Sequence, residues 1–281
     1  MGEAISDSNI ERTRIPRHKP APRRPLDAWR MLSLPLLGFL ILPVAALLLR
    51  APFDRLLANL GDLQVRQAVT LSLSTTLIAT GLTLVFGTPL AQVLARRRLR
   101  FRRAIDTLID LPTVLPPSVA GIALLMAFGR NGLLGGMLDG LGIRVAFTPI
   151  AVVLAQTFVA APFYIKAATL GFASVDAEIY QSAAMDGANS WQVFRHMTMP
   201  LAWSAMLGGS AMTWARALGE FGATIIFAGN YPGRTQTMPL AIYLGFELDL
   251  DVALTLSVIL IGLSFLALLV VKGVLQREVE M

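Results

Sequence analysis

The sequence predicts an all-α integral membrane protein with six transmembrane helices. Apolar residues make up 55% of the 281 residues and charged residues only 15%, against about 25% charged in an ordinary soluble domain. The apolar residues fall into six blocks, 31–49, 67–95, 105–128, 149–172, 201–228 and 252–271. Each approaches or exceeds the ~20 residues that carry a helix across ~30 Å of hydrocarbon. The blocks are continuous rather than alternating, which argues against barrel strands.

Composition also removes function classes. There is no cysteine, so disulfides, thiolate metal sites and cysteine nucleophiles are excluded. The only histidines are His18 and His196, too few for a His-based metal site or general base. No catalytic residue, metal or cofactor is predicted. The net charge of +6 lies beside the apolar blocks, as topology signals do, so nucleic acid is not predicted as a partner.

Residues 1–30 carry Arg12, Arg14, Arg17, Lys19, Arg23, Arg24 and Arg30 among four prolines. This reads as a basic, mostly disordered cytosolic tail. The first helix follows at 31–49. A signal peptide is the rival reading, but no small-x-small cleavage site follows. The second connection holds six arginines, Arg96, Arg97, Arg98, Arg100, Arg102 and Arg103, an anchor for anionic lipid headgroups. The first and third connections hold two each (Arg55, Arg66; Arg130, Arg144), and the fifth holds Arg234 alone. The bias places both termini, and the second and fourth connections, in the cytosol. The predicted location is the cell (inner) membrane, with a short cytosolic tail at 273–281.

The third block contains Pro112, Pro116 and Pro117. These either kink a helix that lines a path or delay its start to about Ser118. Asp106 and Asp110 are expected to pair with the neighbouring arginines. Lys166 is read as snorkelling to the interface, and Tyr164 and Trp203 as interface anchors. Inside the fifth block, Arg216 and Glu220 are four residues apart and can pair. A charged pair within a span is costly and functional by default. It either locks helices together or meets substrate. Arg216, Glu220 and Thr224 join the three prolines as pathway or structural candidates.

The fourth connection, about 174–200, has a local logic of its own. Ser174 or Asp176 can cap a short helix running to about Met185, and Gly187 can end it in the left-handed conformation. Asn189 with Gln192 three residues on forms a capping-box-like pair, and Pro200 is expected to stop the second helix. Two short helices meeting at a glycine make a knob. Ala183, Ala184 and Gly187 keep one surface small, and Ala183, Asp186 and Gly187 are the predicted contact region. The rival reading is an ordinary amphipathic re-entry segment.

Gln181-Ser182-Ala183, three residues, Gly187, nine residues, then Met197-x-Met199-Pro200 resembles the Glu-Ala-Ala loop of ABC importer permeases. Glu and Leu of that pattern are replaced here by Gln181 and Met199. Leu111-Pro112-Thr113-Val114-Leu115-Pro116-Pro117 and Ala215-Arg216-Ala217-Leu218-Gly219-Glu220-Phe221-Gly222-Ala223-Thr224 look like the oxyanion branch. Residues 232–243 are more similar to molybdate permeases than to sulfate or thiosulfate ones. The resemblance covers about 66–272 and implies a type I ABC importer transmembrane domain. It implies transport of molybdate or tungstate by a homodimer seated on cytosolic ABC ATPase subunits and served by a periplasmic or lipid-anchored molybdate-binding protein. Gln181, Ser182, Ala183, Asp186, Gly187 and Pro200 would couple to the ATPase. With Gln181 in place of Glu, polar contacts from Gln181 or the charge of Asp186 would replace a salt bridge. Two readings from other classes compete: an intramembrane enzyme using Asp106, Asp110 or Glu220, and an ion-coupled carrier with a broken third helix.

Overall fold

The structure, a computed structural model, describes residues 26–51, 53–96 and 101–279. Every regular element among them is helical. Most of the basic tail, and Arg97, Arg98 and Arg100, lie outside the described residues.

The chain divides into two units, Met1–Leu49 and Arg50–Met281. The first holds helix α1, Leu26–Arg50, up to Leu49. It begins five residues earlier than its apolar block. Pro35 and Pro43 sit inside it without ending it.

The second unit opens with α2 (Phe53–Asn59) and α3 (Leu63–Ala95). Asp62 starts α3 as its N-cap, accepting the Gln64 amide at 2.7 Å. Next come α4 (Arg102–Val114) and α5 (Pro117–Phe128), bent by 116° to one another. The cause is local. Leu115 precedes Pro116, and Pro116 precedes Pro117. A residue before proline is driven out of the helical region, and both adopt extended ψ values, 136° and 135°. Pro112 does not interrupt α4. The two readings of the proline block thus merge: there is a sharp break, and a second helix begins at Pro117.

The short α6 (Gly135–Gly140) leads to α7 (Pro149–Ala173). Helices α8 (Ala177–Met185) and α9 (Ser190–Val193), a π-helical turn at Phe194–Thr198, and α10 (Met199–Leu201) follow. Then come α11 (Trp203–Leu218), α12 (Gly222–Ala228), α13 (Met238–Leu248) and α14 (Leu250–Val279). The second predicted tail is therefore helical to Val279.

Among the described residues four helices, α1, α3, α7 and α14, are long and apolar enough to cross a membrane, five if the bent α4–α5 pair counts as one span. The fifth apolar block is not one continuous helix. It breaks at residues 219–221, between α11 and α12.

Helices α3, α7 and α11 form the packing centre, and small residues let them close. A Cβ on Gly209 would lie 2.7 Å from the Ala167 Cβ, and one on Gly171 2.6 Å from the Ala205 Cβ. Glycine here permits near-contact of backbones, the main means of helix association where water supplies no hydrophobic drive. Hydroxyls and indoles stitch the same helices. Trp214 Nε1 donates to Thr76 Oγ1 at 3.1 Å, and Thr213 Oγ1 to the Ala160 carbonyl at 3.3 Å. The Ser72 Oγ accepts the Met238 amide at 2.7 Å, tying α13 to α3. Tyr164 is fully buried in this centre, its hydroxyl against that of Thr88. It is a core residue and not the interface anchor expected from the sequence, because the glycine-lined groove between α3 and α11 admits its ring.

Candidate functional site: an exposed knob and a broken helix

At the end of α7, the Ser174 hydroxyl donates to the Gly171 carbonyl at 2.8 Å and its amide bonds to Leu170. Ser174 therefore closes α7, which leaves Asp176 immediately ahead of α8. Helix α8 ends as its sequence requires. Gly187 has φ +79°, and the Ala188 amide reaches back to the Ala183 carbonyl at 3.0 Å, the wide bond of a Schellman-type end. No atom lies within 4 Å of where a Gly187 Cβ would stand. Glycine is needed there for its backbone, not for space.

Asn189 and Gln192 form a complete capping box. The Asn189 Oδ1 accepts the Gln192 amide at 2.9 Å and the Gln192 Oε1 accepts the Asn189 amide at 2.8 Å. Beyond it, Pro200 does not stop the helix. Phe194–Thr198 widens to π-helical bonding, with the Met199 amide bonded to the Phe194 carbonyl. Pro200 then sits in the first turn of α10, where a missing N–H is tolerated. The chain runs on into α11 with only a turn at Ala202.

The exposed surface differs from the predicted one. Ala183 is buried, 2% exposed, so its side chain packs within the chain. Ser182, Asp186 and Gly187 are exposed. The expectation for Gln181, and the small surface ascribed to Ala184, fall on side chains outside the described residues. Sequence reasoning missed two large apolar residues. Met185 is 82% exposed and Trp191 65%. Trp191 stands 5.7 Å from Phe194, whose ring meets Phe172 of α7 edge-on at 5.8 Å. An aromatic chain therefore links the knob to the membrane-spanning helix. A hollow of about 330 Å³, lined by Asp186, Gly187, Gln192, His196 and Met197 among others, opens beside it.

The second feature is the break between α11 and α12. Arg216 and Glu220 pair at 3.0 Å, with Glu220 1% exposed and Arg216 33%. They do not share one helix, since α11 ends at Leu218. The second carboxylate oxygen of Glu220 accepts the Ala223 amide at 2.8 Å. A single buried carboxylate thus caps the N-terminal end of α12 and pairs with Arg216 in the last turn of α11, whose end carbonyls take the Gly219 and Glu220 amides. Thr224 is buried beside it, and among the described residues its hydroxyl has no partner.

Pro117 and α12 meet directly. A Cβ on Gly222 would lie 2.4 Å from the Pro117 Cβ, and one on Gly121 2.9 Å from the Ala223 carbonyl oxygen. The structure therefore brings Pro117, at the start of α5 just after Pro116, onto the helix that carries Thr224 and that Glu220 caps. Pro112 lies within α4, ahead of the break.

Of the two aspartates, Asp106 pairs with Arg102 at 3.6 Å, as the nearby arginines suggested. Asp110 pairs instead with Lys166 at 2.7 Å. Lys166 is therefore engaged across α4 and α7 and does not simply snorkel. That contact joins residues 56 apart, which no local spacing could reveal.

Residues 83–278 match the family model described as binding-protein-dependent transport system inner membrane component. The chain is 42% identical over 256 residues to the molybdenum transport system permease protein ModB of Mycobacterium bovis, covering 90% of this chain and 96% of that one. It is 34% identical over 244 residues to the sulfate transport system permease protein CysW of Synechococcus elongatus, covering 85% of each. The fold is also that of a chain in the crystal structure of a bacterial alginate ABC transporter in complex with an alginate pentasaccharide-bound periplasmic protein. The TM-score is 0.61 at 21% identity, covering 89% of this chain and 93% of that one.

Proposed function

Because this chain belongs to the binding-protein-dependent transport system inner membrane components, we propose that it is the membrane subunit of an ATP-driven molybdate importer. The observation that carries the anion is the 42% identity to a molybdenum permease across nearly the whole of both chains. Molybdate and tungstate share charge and tetrahedral shape, so both belong to the proposed class. The sulfate permease likeness is lower, at 34%, and makes sulfate the second reading.

The chemistry of the chain fits a conduit that borrows its energy. The knob at residues 174–200 has capped helix ends, exposed Met185 and Trp191, and a hollow at Asp186. It stands at the end of α7, one of the helices in the packing centre. A cytosolic ATPase that grips this knob would move α7 through the Trp191–Phe194–Phe172 stack. The partner is proposed to be such an ATPase pair, with two copies of this chain around a shared path. An external oxyanion-binding protein would load that path. Both termini and the knob are assigned to the cytosol on the arginine bias.

The break between α11 and α12 is the place proposed to line the path. There α5 and α12 touch through glycine and proline, and Arg216 keeps a third of its side chain accessible.

The test is co-purification and uptake. The chain with its ATPase and binding protein, in proteoliposomes, should accumulate molybdate on ATP hydrolysis. Trp191→Ala with Asp186→Arg should abolish both ATPase capture and uptake. Accumulation by the chain alone, with no ATPase, would refute the reading and favour an ion-coupled carrier.

A further inference from the structure

The loop after α5 is wound more tightly than a plain connection needs. A Cβ on Gly129 would lie 2.3 Å from the Leu125 carbonyl oxygen, on Gly132 2.5 Å from that of Met126, and on Gly135 2.3 Å from that of Arg130. The amides of Leu133 and Leu134 turn back to the carbonyls of Met126 and Ala127, both at 2.9 Å. Three glycines thus let the chain fold onto the last turn of α5, which fixes where Arg130 begins.

Opposite this lip, residues 143–147 return toward α7. Phe147 has φ +60°, a conformation that bulky residues rarely adopt. It is held there by its amide, which donates to the Phe227 carbonyl at 3.2 Å. Strain of this kind persists only where its surroundings enforce it, and it concentrates at functional sites.

Between lip and return lies a pocket of about 280 Å³. Its base is core: Leu125, Phe128 and Leu138 pack against the buried cluster that contains Val145. Its charged lining is Arg130, Arg144 and Asp139. Among the described residues no ion pair joins either arginine to Asp139 or to another carboxylate. Arg130 and Arg144, both exposed, thus stand in the lining of one pocket whose base is apolar, and their like charges add to a single positive field there. Guanidinium groups match planar-edge contacts to oxyanions better than any other side chain.

We propose that this pocket is an anion-receiving site of the permease itself, taking one tetrahedral oxyanion between Arg130 and Arg144. The proposal rests on the oxyanion-importer reading. The pocket lies ahead of α7 and the knob lies after it. At 1.5 Å per residue, the 25 residues of α7 separate them by about a bilayer's hydrocarbon thickness. The pocket is thus on the side away from the ATPase, where the anion arrives. Asp139 opposes the anion and keeps the hold weak enough for release, as conduction requires.

The experiment is equilibrium dialysis of the whole permease–ATPase complex against molybdate at low ionic strength, without binding protein, with bound metal read by elemental analysis. The wild-type complex should hold one molybdate per permease chain. Arg130→Gln with Arg144→Gln should weaken binding about tenfold or more, Arg130→Lys with Arg144→Lys should weaken it less because the charge stays and only the fork geometry is lost, and Asp139→Asn should tighten it. All variants should elute as intact complexes. Binding unchanged in the double glutamine variant, or absent from a wild-type complex that transports, would overturn the proposal. So would a double variant that keeps anion binding but loses capture of the binding protein, which would make the arginines a protein dock. Parallel uptake with binding protein separates the two levels. If the wild type imports no oxyanion, the importer reading itself falls. If it imports molybdate while the arginine changes leave dialysis unchanged, only the pocket falls.

Discussion

Glu220→Ala tests whether the break between α11 and α12 is held by one carboxylate. Glu220 is 1% exposed, pairs with Arg216 at 3.0 Å and accepts the Ala223 amide at 2.8 Å. Truncation removes a helix-start acceptor, a loss of about 0.5–2 kcal/mol. It also strands the Arg216 guanidinium. Removing one partner of a fully buried pair costs about 3–5 kcal/mol, but Arg216 is one-third exposed and can recover other contacts, so about 1–2 kcal/mol is the fitting figure for this part. The total is about 1.5–4 kcal/mol. For a chain of this size that corresponds to a fall in Tm of roughly 3–15 °C. Glu220→Gln keeps an oxygen for the Ala223 amide and loses only the charge, so about 1 kcal/mol is expected. The assay is thermal unfolding in detergent followed by tryptophan fluorescence, with Trp214 two residues from Arg216. Equal Tm values for the alanine and glutamine variants, or no fall in either, would refute the capping role. Arg216→Ala should lower folded yield further, because it leaves a carboxylate buried with a single hydrogen bond.

Gly187 and Gly222 yield contrasting predictions. Gly187 has open space around it and a positive φ, so Gly187→Val should cost about 1–2 kcal/mol of local stability and cut uptake, while Gly187→Asn, which tolerates that conformation, should transport; equal uptake by both would refute the hinge. Gly222 has ordinary backbone but no room, so Gly222→Ala should push α12 from Pro117 and lower stability by about 1–3 kcal/mol. Pro117→Gly, which deletes the clashing Cβ, should relieve part of that loss where Pro117→Ala does not; equal rescue by both would refute the contact.

Much of the chain could be read locally. The capping box of Asn189 and Gln192, the left-handed Gly187 and the bend at Pro116 and Pro117 all came out of residues within five positions of one another. Each follows from steric or hydrogen-bonding rules that act before any tertiary contact forms. The apolar blocks likewise follow from the solvent they must face. What stayed hidden depends on which segments meet. Ala183 looked like a contact residue because small residues suit both a partner's cleft and a packed interior, and only burial distinguishes them. Pro200 looked like a stop because the π-helical turn that absorbs it is a property of the continuing helix. Tyr164 and Lys166 found partners 76 and 56 residues away, and the exposure of Met185 and Trp191 depends on everything packed around them. The same holds for Arg130 and Arg144. In sequence they are the scant positive charge of a connection, and three close-wound glycines and a strained Phe147 turn them into two sides of one pocket. Periodicity and capping are set by neighbours along the chain, while burial, pairing across helices and pocket shape are set by neighbours in space, and those are fixed when the helices close on one another.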